Sequence, residues 1–309
     1  MNNKLKGYLL NPFVLFLAAW GILNLFQARL TPLDNDEAYY WMYSKYLAWG
    51  YFDHPPMIAL MIKIGYYFIH NELGLRLVIV MSQLIALWLI WKIAEKEQGG
   101  KANVLFFFML IVIMPVYNIF AFMATPDAPL ILFTAVFLLA YKQFLVKESP
   151  GNTLFLSFSM AALMYSKYHS GLLIILVILS NPALLKSIRF YLASFAALLL
   201  FFPHLFWQYS NGFPSLRYHL VDRVSAFDLS HVPEYLFGQY FFHNPFIFTI
   251  LIWIMIKVRP KDLFNRALYF IITGFFIFFF ISSFRYRVEP QWTALVSVPM
   301  VIILFNNIN

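Results

Sequence analysis

The side chains able to do acid–base or phosphate chemistry fall into a few short stretches. Asp36 and Glu37 are adjacent acids in Thr31-Pro32-Leu33-Asp34-Asn35-Asp36-Glu37. A carboxylate here could take the proton of an attacking hydroxyl. Taken alone, the pair reads equally well as acids complementing a helix start, with Thr31 or Asn35 as the cap. In Tyr51-Phe52-Asp53-His54-Pro55-Pro56 the two prolines fix an extended turn that presents a carboxylate and an imidazole, or simply returns the chain to the membrane. Asp127, in Ala124-Thr125-Pro126-Asp127-Ala128-Pro129, is either a second functional acid or a plain N-cap. Ser166-Lys167-Tyr168-His169 offers an ammonium amid apolar sequence, where an ionisable group reads as functional rather than as a snorkelling lysine. If Ser215 opens a helix after the turn Asn211-Gly212-Phe213-Pro214, His219 and Arg223 fall one turn apart. That face could grip a phosphate, or could be a surface helix with Arg223 on Asp222 or Asp228. Arg285, in Arg285-Tyr286-Arg287-Val288-Glu289-Pro290-Gln291-Trp292, and His243, in Phe242-His243-Asn244-Pro245, mark entries into apolar runs.

Apolar runs must position these groups. The spans predicted are 8–28, 73–92, 103–123, 128–146, 153–166, 170–185, 190–206, 245–256, 267–284 and 291–306. The run 8–28 is too long for a signal peptide, and no small-residue cleavage site follows it, so it reads as a retained first helix. One helix over 153–180 would bury Lys167, whereas a hairpin of two short helices puts Lys167-Tyr168-His169 at a surface. The hairpin also keeps Lys257, Arg259, Lys261 and Arg266 on the same side as Lys4, Lys6, Lys92, Lys96, Lys101, Lys142, Lys147, Lys186 and Arg189, as the positive-inside rule requires. Asp34, Asp36, Glu37, Asp53, Asp127 and every histidine then lie at the outer face. The loop 29–72 carries Tyr39, Tyr40, Trp41, Tyr43, Tyr46, Trp49 and Tyr51, a composition suited to helices lying in the membrane interface.

Composition excludes several classes. Hydrophobic residues are 62% of the chain, charged residues 12%, and the mean hydropathy is +0.72. A soluble domain holds about 45–50% apolar and about 25% charged residues. The absence of Cys removes disulfides, thiolate nucleophiles and zinc–thiolate sites. The net charge of +8 is explained by basic inner loops and gives no reason to expect nucleic acid.

In this order, the motifs Asp36-Glu37-Ala38-Tyr39-Tyr40, Tyr51-Phe52-Asp53-His54-Pro55-Pro56, Thr125-Pro126-Asp127-Ala128-Pro129 and Ser166-Lys167-Tyr168 resemble those of integral-membrane glycosyltransferases. That group includes the protein O-mannosyltransferases and the bacterial lipid A aminoarabinose transferases. Asn211-Gly212-Phe213-Pro214 and Arg287-Val288-Glu289-Pro290-Gln291-Trp292 are similar to later signatures, so the likeness covers nearly the whole chain. It implies a GT-C fold, a sugar donor on polyprenyl phosphate, a catalytic role for Asp36 as base, and one for Asp127. Where the aminoarabinose transferases have an acid followed by Lys before the double proline, this chain has Asp53 and His54. A histidine matches that lysine's charge only when protonated.

The expected fold is therefore all-α, a polytopic transmembrane bundle of about ten spans with interfacial amphipathic helices in its first outer loop. Residues 1–309 are expected to form one membrane-embedded domain without a soluble C-terminal domain. The expected activity is transfer of a sugar from a polyprenyl-phosphate donor to a lipid, glycan or protein acceptor, with inversion, on the extracytoplasmic side of a bacterial inner membrane. Asp36, Glu37 and Asp127 are the catalytic candidates, and His54, Lys167, Tyr168, His219, Arg223 and Arg285 the donor-binding ones. A divalent metal (zinc, manganese or magnesium) is a candidate cofactor, with Asp53 and His219 as ligands. The competing class is a flippase or transporter of lipid-linked sugars. Such proteins usually show repeated halves and a midplane site, and neither is visible in this chain.

Overall fold

The computed structural model describes residues 11–94, 100–222 and 227–308, and every regular element among them is helical. Lys4, Lys6, Glu95, Lys96, Glu97 and Arg223 lie outside the described residues. Helix α1 (Pro12–Leu30) opens with Asn11 accepting from the Phe13 N–H and with Pro12 in its first turn. Helices α2 (Asn35–Lys45) and α3 (Met57–Phe68) form the first outer loop, and α4 (Glu72–Ile93) runs back through the bundle. Gly65 and Gly74 let α3 and α4 cross with their backbones in contact, because a Cβ on Gly65 would collide with the Gly74 carbonyl. The run expected at 103–123 is divided by Pro115 into α5 (Lys101–Ile113) and α6 (Pro115–Ile119). Helices α7 (Asp127–Val146), α8 (Pro150–Ser166) and α9 (Ser170–Ser180) follow, then a 3₁₀ turn (Pro182–Lys186) and α10 (Ile188–Ser210).

The stretch 153–180 is a hairpin. At one end, Ser187 Oγ donates to Glu148 Oε2 at 2.6 Å, joining the start of α10 to the start of α8. At the other, Tyr168 meets His204 near the ends of both helices. Helices α8 and α10 therefore run parallel, and only α9 with its 3₁₀ turn can bring the chain back between them. Eleven α-helical and five 3₁₀ residues rise about 26 Å, comparable with the seventeen residues of α8.

The remaining elements are α11 (Pro214–Arg217), a π turn (Tyr218–Asp222), α12 (His231–Phe242), α13 (Pro245–Lys257), α14 (Leu263–Ser282), a 3₁₀ turn (Pro290–Val296) and α15 (Ser297–Asn307). The expected cap at Ser215 is corrected. Phe213, in the left-handed region like Gly212 before it, takes the cap position, and the single α-helical turn that follows passes directly into the π turn.

Among the described residues, five helices are long and apolar enough to cross a membrane: α1, α4, α7, α10 and α14. A sixth is added if α12 and α13, bent by 95° around His243 and Asn244, form one broken span. The runs expected at 153–166, 170–185, 245–256 and 291–306 are occupied by shorter helices. Helices α1 and α10 leave most of their apolar residues uncovered, with Phe26 63% and Phe195 60% exposed. Faces of this kind, on two of five apolar helices long enough to cross a bilayer, belong in lipid. The chain is an integral membrane protein.

Candidate active site

Helix α2 is started by Asp34, not by Thr31 or Asn35. The Asp34 side chain accepts from the Asp36 N–H at 3.0 Å, and Glu37 reaches back to the Asp34 N–H at 3.1 Å, which completes a capping box. This box turns the two adjacent acids in opposite directions.

Glu37 goes inward and is fully buried. Its carboxylate receives Arg76 Nε at 2.7 Å, Arg76 Nη2, the Ala124 N–H at 2.8 Å and the Asp34 N–H, which uses its four acceptor positions. Arg76 spends its other N–H groups on the Ala28, Thr31 and Pro32 carbonyls at 3.0, 2.7 and 3.0 Å. One ion pair thus ties together the end of α1, the start of α2, α4 and the segment before α7. Glu37, expected to take part in the chemistry, is an anchor with no lone pair left for a substrate.

Asp36 faces outward and is exposed. Partial burial, then the charge of Asp34, push its carboxyl above the ordinary 3.8, with Asp53 and Asp127 adding to the effect and His54 opposing it. Those four neighbours come from three separate stretches of the chain, so the bundle gathers the sequence-predicted acids around one point.

Asp53 is one of these neighbours. It accepts from the Tyr43 hydroxyl at 3.0 Å and the Tyr39 hydroxyl at 3.2 Å, and its Oδ2 is 3.0 Å from His54 Nδ1. Burial alone would raise this carboxyl, but the His54 imidazole and the two tyrosine hydroxyls outweigh burial and hold it below 3.8. Tyr43 is itself fixed by stacking on Tyr51, with ring centroids 4.0 Å apart. His54 meets Tyr40 and His219 edge-on, at 5.5 and 6.3 Å.

Asp127 is not a cap. It is the first residue of α7, 3% exposed, and both of its oxygens accept from Lys167 Nζ, at 2.8 and 3.0 Å. Lys167 is 5% exposed, so it does not snorkel.

Tyr168, expected to bind substrate, has its hydroxyl engaged on both sides. His204 Nδ1 is 2.6 Å from the Trp49 carbonyl, which can only accept, so the ring proton sits there. His204 Nε2 then accepts from the Tyr168 hydroxyl at 3.0 Å, and the phenol oxygen accepts from Gln208 Nε2 at 2.8 Å. Gln208 also reaches Ser215 Oγ at 2.7 Å, which donates to the Tyr51 carbonyl at 2.8 Å. These bonds clamp the turn holding Asp53 and His54 onto α10. Gly50 makes the clamp possible, since any side chain there would strike Trp207.

His219 Nε2 donates to the Asp53 backbone carbonyl at 2.9 Å. This bond turns Nε2 of His219 to the Asp53 backbone, while the Asp53 carboxylate serves two tyrosines and His54. Among the described residues, no three His, Asp or Glu side chains come together as a metal-binding group. Arg285 stands exposed in the turn after α14, and its neighbour Arg287 pairs with Glu234 at 2.7 Å. Beside the charged groups lies an apolar groove of about 420 Å³ bounded by Leu47, Trp49, Pro56, Met57, Leu60 and Tyr165.

Sequence reasoning passed over Arg76, although a lone arginine in Leu73-Gly74-Leu75-Arg76-Leu77-Val78 was a legible signal. It also read Tyr39 and Tyr43 only as interfacial aromatics. Nothing in the spacing points to His204, Gln208 and Ser215 as partners.

Residues 53–207, half of the chain, match the family of dolichyl-phosphate-mannose-protein mannosyltransferases. The chain belongs to this family. The matched stretch carries Asp53, His54, Asp127, Lys167, Tyr168 and His204. Over 271 residues the chain is 27% identical to the lipid A galacturonosyltransferase RgtD of Rhizobium johnstonii, covering 81% of this chain and 55% of that protein. Its fold is similar to that of ArnT from Cupriavidus metallidurans bound to undecaprenyl phosphate, with TM-score 0.72 and 18% identity over 95% of this chain and 58% of ArnT. It is also similar to the apo oligosaccharyltransferase of Archaeoglobus fulgidus, with TM-score 0.55 and 11% identity over 94% of this chain and 50% of that one. The chain spans about half the length of the relatives it matches.

Proposed function

We propose that this protein is a glycosyltransferase that moves a sugar from a polyprenyl-phosphate donor to a hydroxyl of a lipid or glycan acceptor. The observation that carries this reading is a juxtaposition. A partly desolvated carboxylate (Asp36) and a buried ammonium–carboxylate pair (Lys167–Asp127) flank one site, and an apolar groove opens beside it. A membrane-embedded donor needs all three: a base, positive charge for its phosphate, and an apolar bed for its polyprenyl chain. Similarity to a lipid A galacturonosyltransferase, and to an ArnT structure holding undecaprenyl phosphate, supports the donor class and a lipid or glycan acceptor.

In this reading the acceptor oxygen attacks the anomeric carbon, and Asp36 takes its proton. The bond from that carbon to the phosphate oxygen breaks, and its electron pair leaves with polyprenyl phosphate. A single displacement inverts the anomeric centre. Lys167 spends two N–H groups on Asp127 and turns its third toward the phosphate, joined by His54, His219 and Arg223. Asp53, with Tyr39 and Tyr43, holds His54 in place, and Asp127 orients Lys167. No step is assigned to a metal. We place the site on the extracytoplasmic side of a bacterial inner membrane, because the opposite end carries Lys101, Lys142, Lys147, Lys186, Arg189, Lys257, Arg259 and Lys261. The ten apolar runs are then ten crossings.

The test is to incubate the purified protein, in lipid, with a panel of polyprenyl-phosphate sugars and an acceptor, and to measure release of polyprenyl phosphate. Release that disappears in a folded Asp36→Asn variant is the expected result. Donor binding with no release from any donor, or full activity without Asp36, overturns the reading.

A further inference from the structure

A second pair of cavities lies at the opposite end of the bundle. Helices α13 and α14 diverge and leave an apolar groove of about 410 Å³, walled by Phe248, Leu251 and Met255 on one side and Ile272 and Phe276 on the other. Tyr269 lines its lower end. The same tyrosine also lines a polar cavity of about 210 Å³ built by Arg259, Lys261, Asn265, Asn306 and Asn307. Its hydroxyl donates to the Val258 carbonyl at 2.9 Å, which fixes the ring at the junction of the two. From Tyr269 to Ile277, α14 rises about 12 Å, close to the ~15 Å hydrocarbon depth of one leaflet.

The segment that builds the polar cavity is one-sided in charge. Residues 257–266 hold Lys257, Arg259, Lys261 and Arg266 against a single acid, Asp262, whose two oxygens are taken up at 2.8 Å by the Asn265 N–H and side-chain amide, and of these charges Arg259 and Lys261 line the cavity. The groove alone would accept any apolar chain, and the polar cavity alone any small anion. A molecule with a phosphate at one end and hydrocarbon at the other fills both. Basic pockets at the surface of a bundle select lipids with net negative charge, whereas in a zwitterionic lipid the headgroup ammonium cancels the phosphate.

We propose that these joined cavities bind an anionic glycerophospholipid of the leaflet opposite the candidate active site, with its phosphate on Arg259 and Lys261 and an acyl chain between α13 and α14. None of these residues takes part in the chemistry proposed above, so the site stands or falls independently of it.

The experiment is native mass spectrometry of the full chain released from nanodiscs of equimolar phosphatidylglycerol and phosphatidylcholine. Retention of phosphatidylglycerol over phosphatidylcholine on the unmodified chain is expected. Arg259→Gln with Lys261→Gln should lower that preference about 25-fold, roughly five-fold for each cation lost. Thr273→Trp, which fills the groove and leaves the cations in place, should reduce retention of both lipids. Equal retention of the two lipids on the unmodified chain overturns the proposal without any variant. So does displacement of phosphatidylglycerol by inorganic phosphate alone, which would make the cavity a site for free anions. The chain contains no cysteine, so a disulfide between copies carrying Ile277→Cys would show that a second copy fills the groove, and would overturn it as well.

Discussion

At the residue scale, two adjacent acids have different fates. Asp36→Asn should lower sugar transfer about 10²–10⁴-fold, the usual cost of losing a general base. It should leave the melting temperature unchanged or slightly higher, because the native carboxylate sits among Asp34, Asp53 and Asp127. The raised Asp36 carboxyl also sets the pH dependence. A base works only when deprotonated, so the acid limb of kcat/KM should lie above pH 3.8. Asp34→Asn keeps a good helix cap but removes a charge that raises Asp36, so the limb should move to lower pH while α2 stays folded. A limb that does not move would dissociate Asp36 from the titration. The two carboxyls act on stability with opposite signs. Asp36, raised in the fold, contributes stability below pH 3.8 that is lost as pH rises through its folded value. Asp53, lowered in the fold, contributes stability above pH 3.8 that is lost as pH falls through its folded value.

At the scale of elements, the site depends on contacts between segments far apart in the chain. The Glu37–Arg76 pair holds α1, α2, α4 and the segment before α7 in register. Arg76→Ala would leave Glu37 buried and unpaired, and should cost about 3–5 kcal/mol. Arg76→Met combined with Glu37→Leu should cost less, because no charge is then stranded. Thermal unfolding in a fixed detergent measures both, and a double variant no more stable than Arg76→Ala would argue against the stranded-charge account. The turn carrying Asp53 and His54 is held by His204, Gln208 and Ser215, and packs Gly50 against Trp207. Gly50→Ala must push that turn off α10, at a cost of about 1–3 kcal/mol if the packing yields. Sugar transfer should fall more than donor-independent properties such as expression and melting temperature. Transfer at the native rate would show that the turn's seat on α10 does not matter.

For the whole molecule, the test is which end faces which side. The hairpin of α8 and α9 sets the direction of every later helix, so Phe227 and Arg259 should lie on opposite sides of the membrane. With no native cysteine to interfere, Phe227→Cys should react with an impermeant thiol reagent on intact cells, and Arg259→Cys only after the membrane is opened. The reverse pattern would invert the orientation and move the candidate site to the cytoplasmic face.

The sequence by itself determined the class of the molecule, because apolar content, run length and loop charge are set by the cost of burying polar groups in lipid. It determined the hairpin by the same reasoning, since a lysine in mid-span and basic loops on the wrong side are both expensive. It also brought Asp36, Asp53, Asp127 and Lys167 onto one list, because each is a charge that apolar surroundings make costly to place. Tertiary structure decided what each of them does. Glu37 and Asp36 are neighbours with identical chemistry, and only the position of Arg76, 39 residues away, turns one into an anchor and leaves the other facing the site. Asp127 looks like a cap until Lys167 is found 2.8 Å from it. His204 and Gln208 occupy one more apolar helix until Trp49, Tyr168 and Ser215 come to meet them. Periodicity and composition report energies local to a segment, whereas the protonation, burial and orientation of a side chain depend on which distant segment packs against it, and only the folded bundle contains that information.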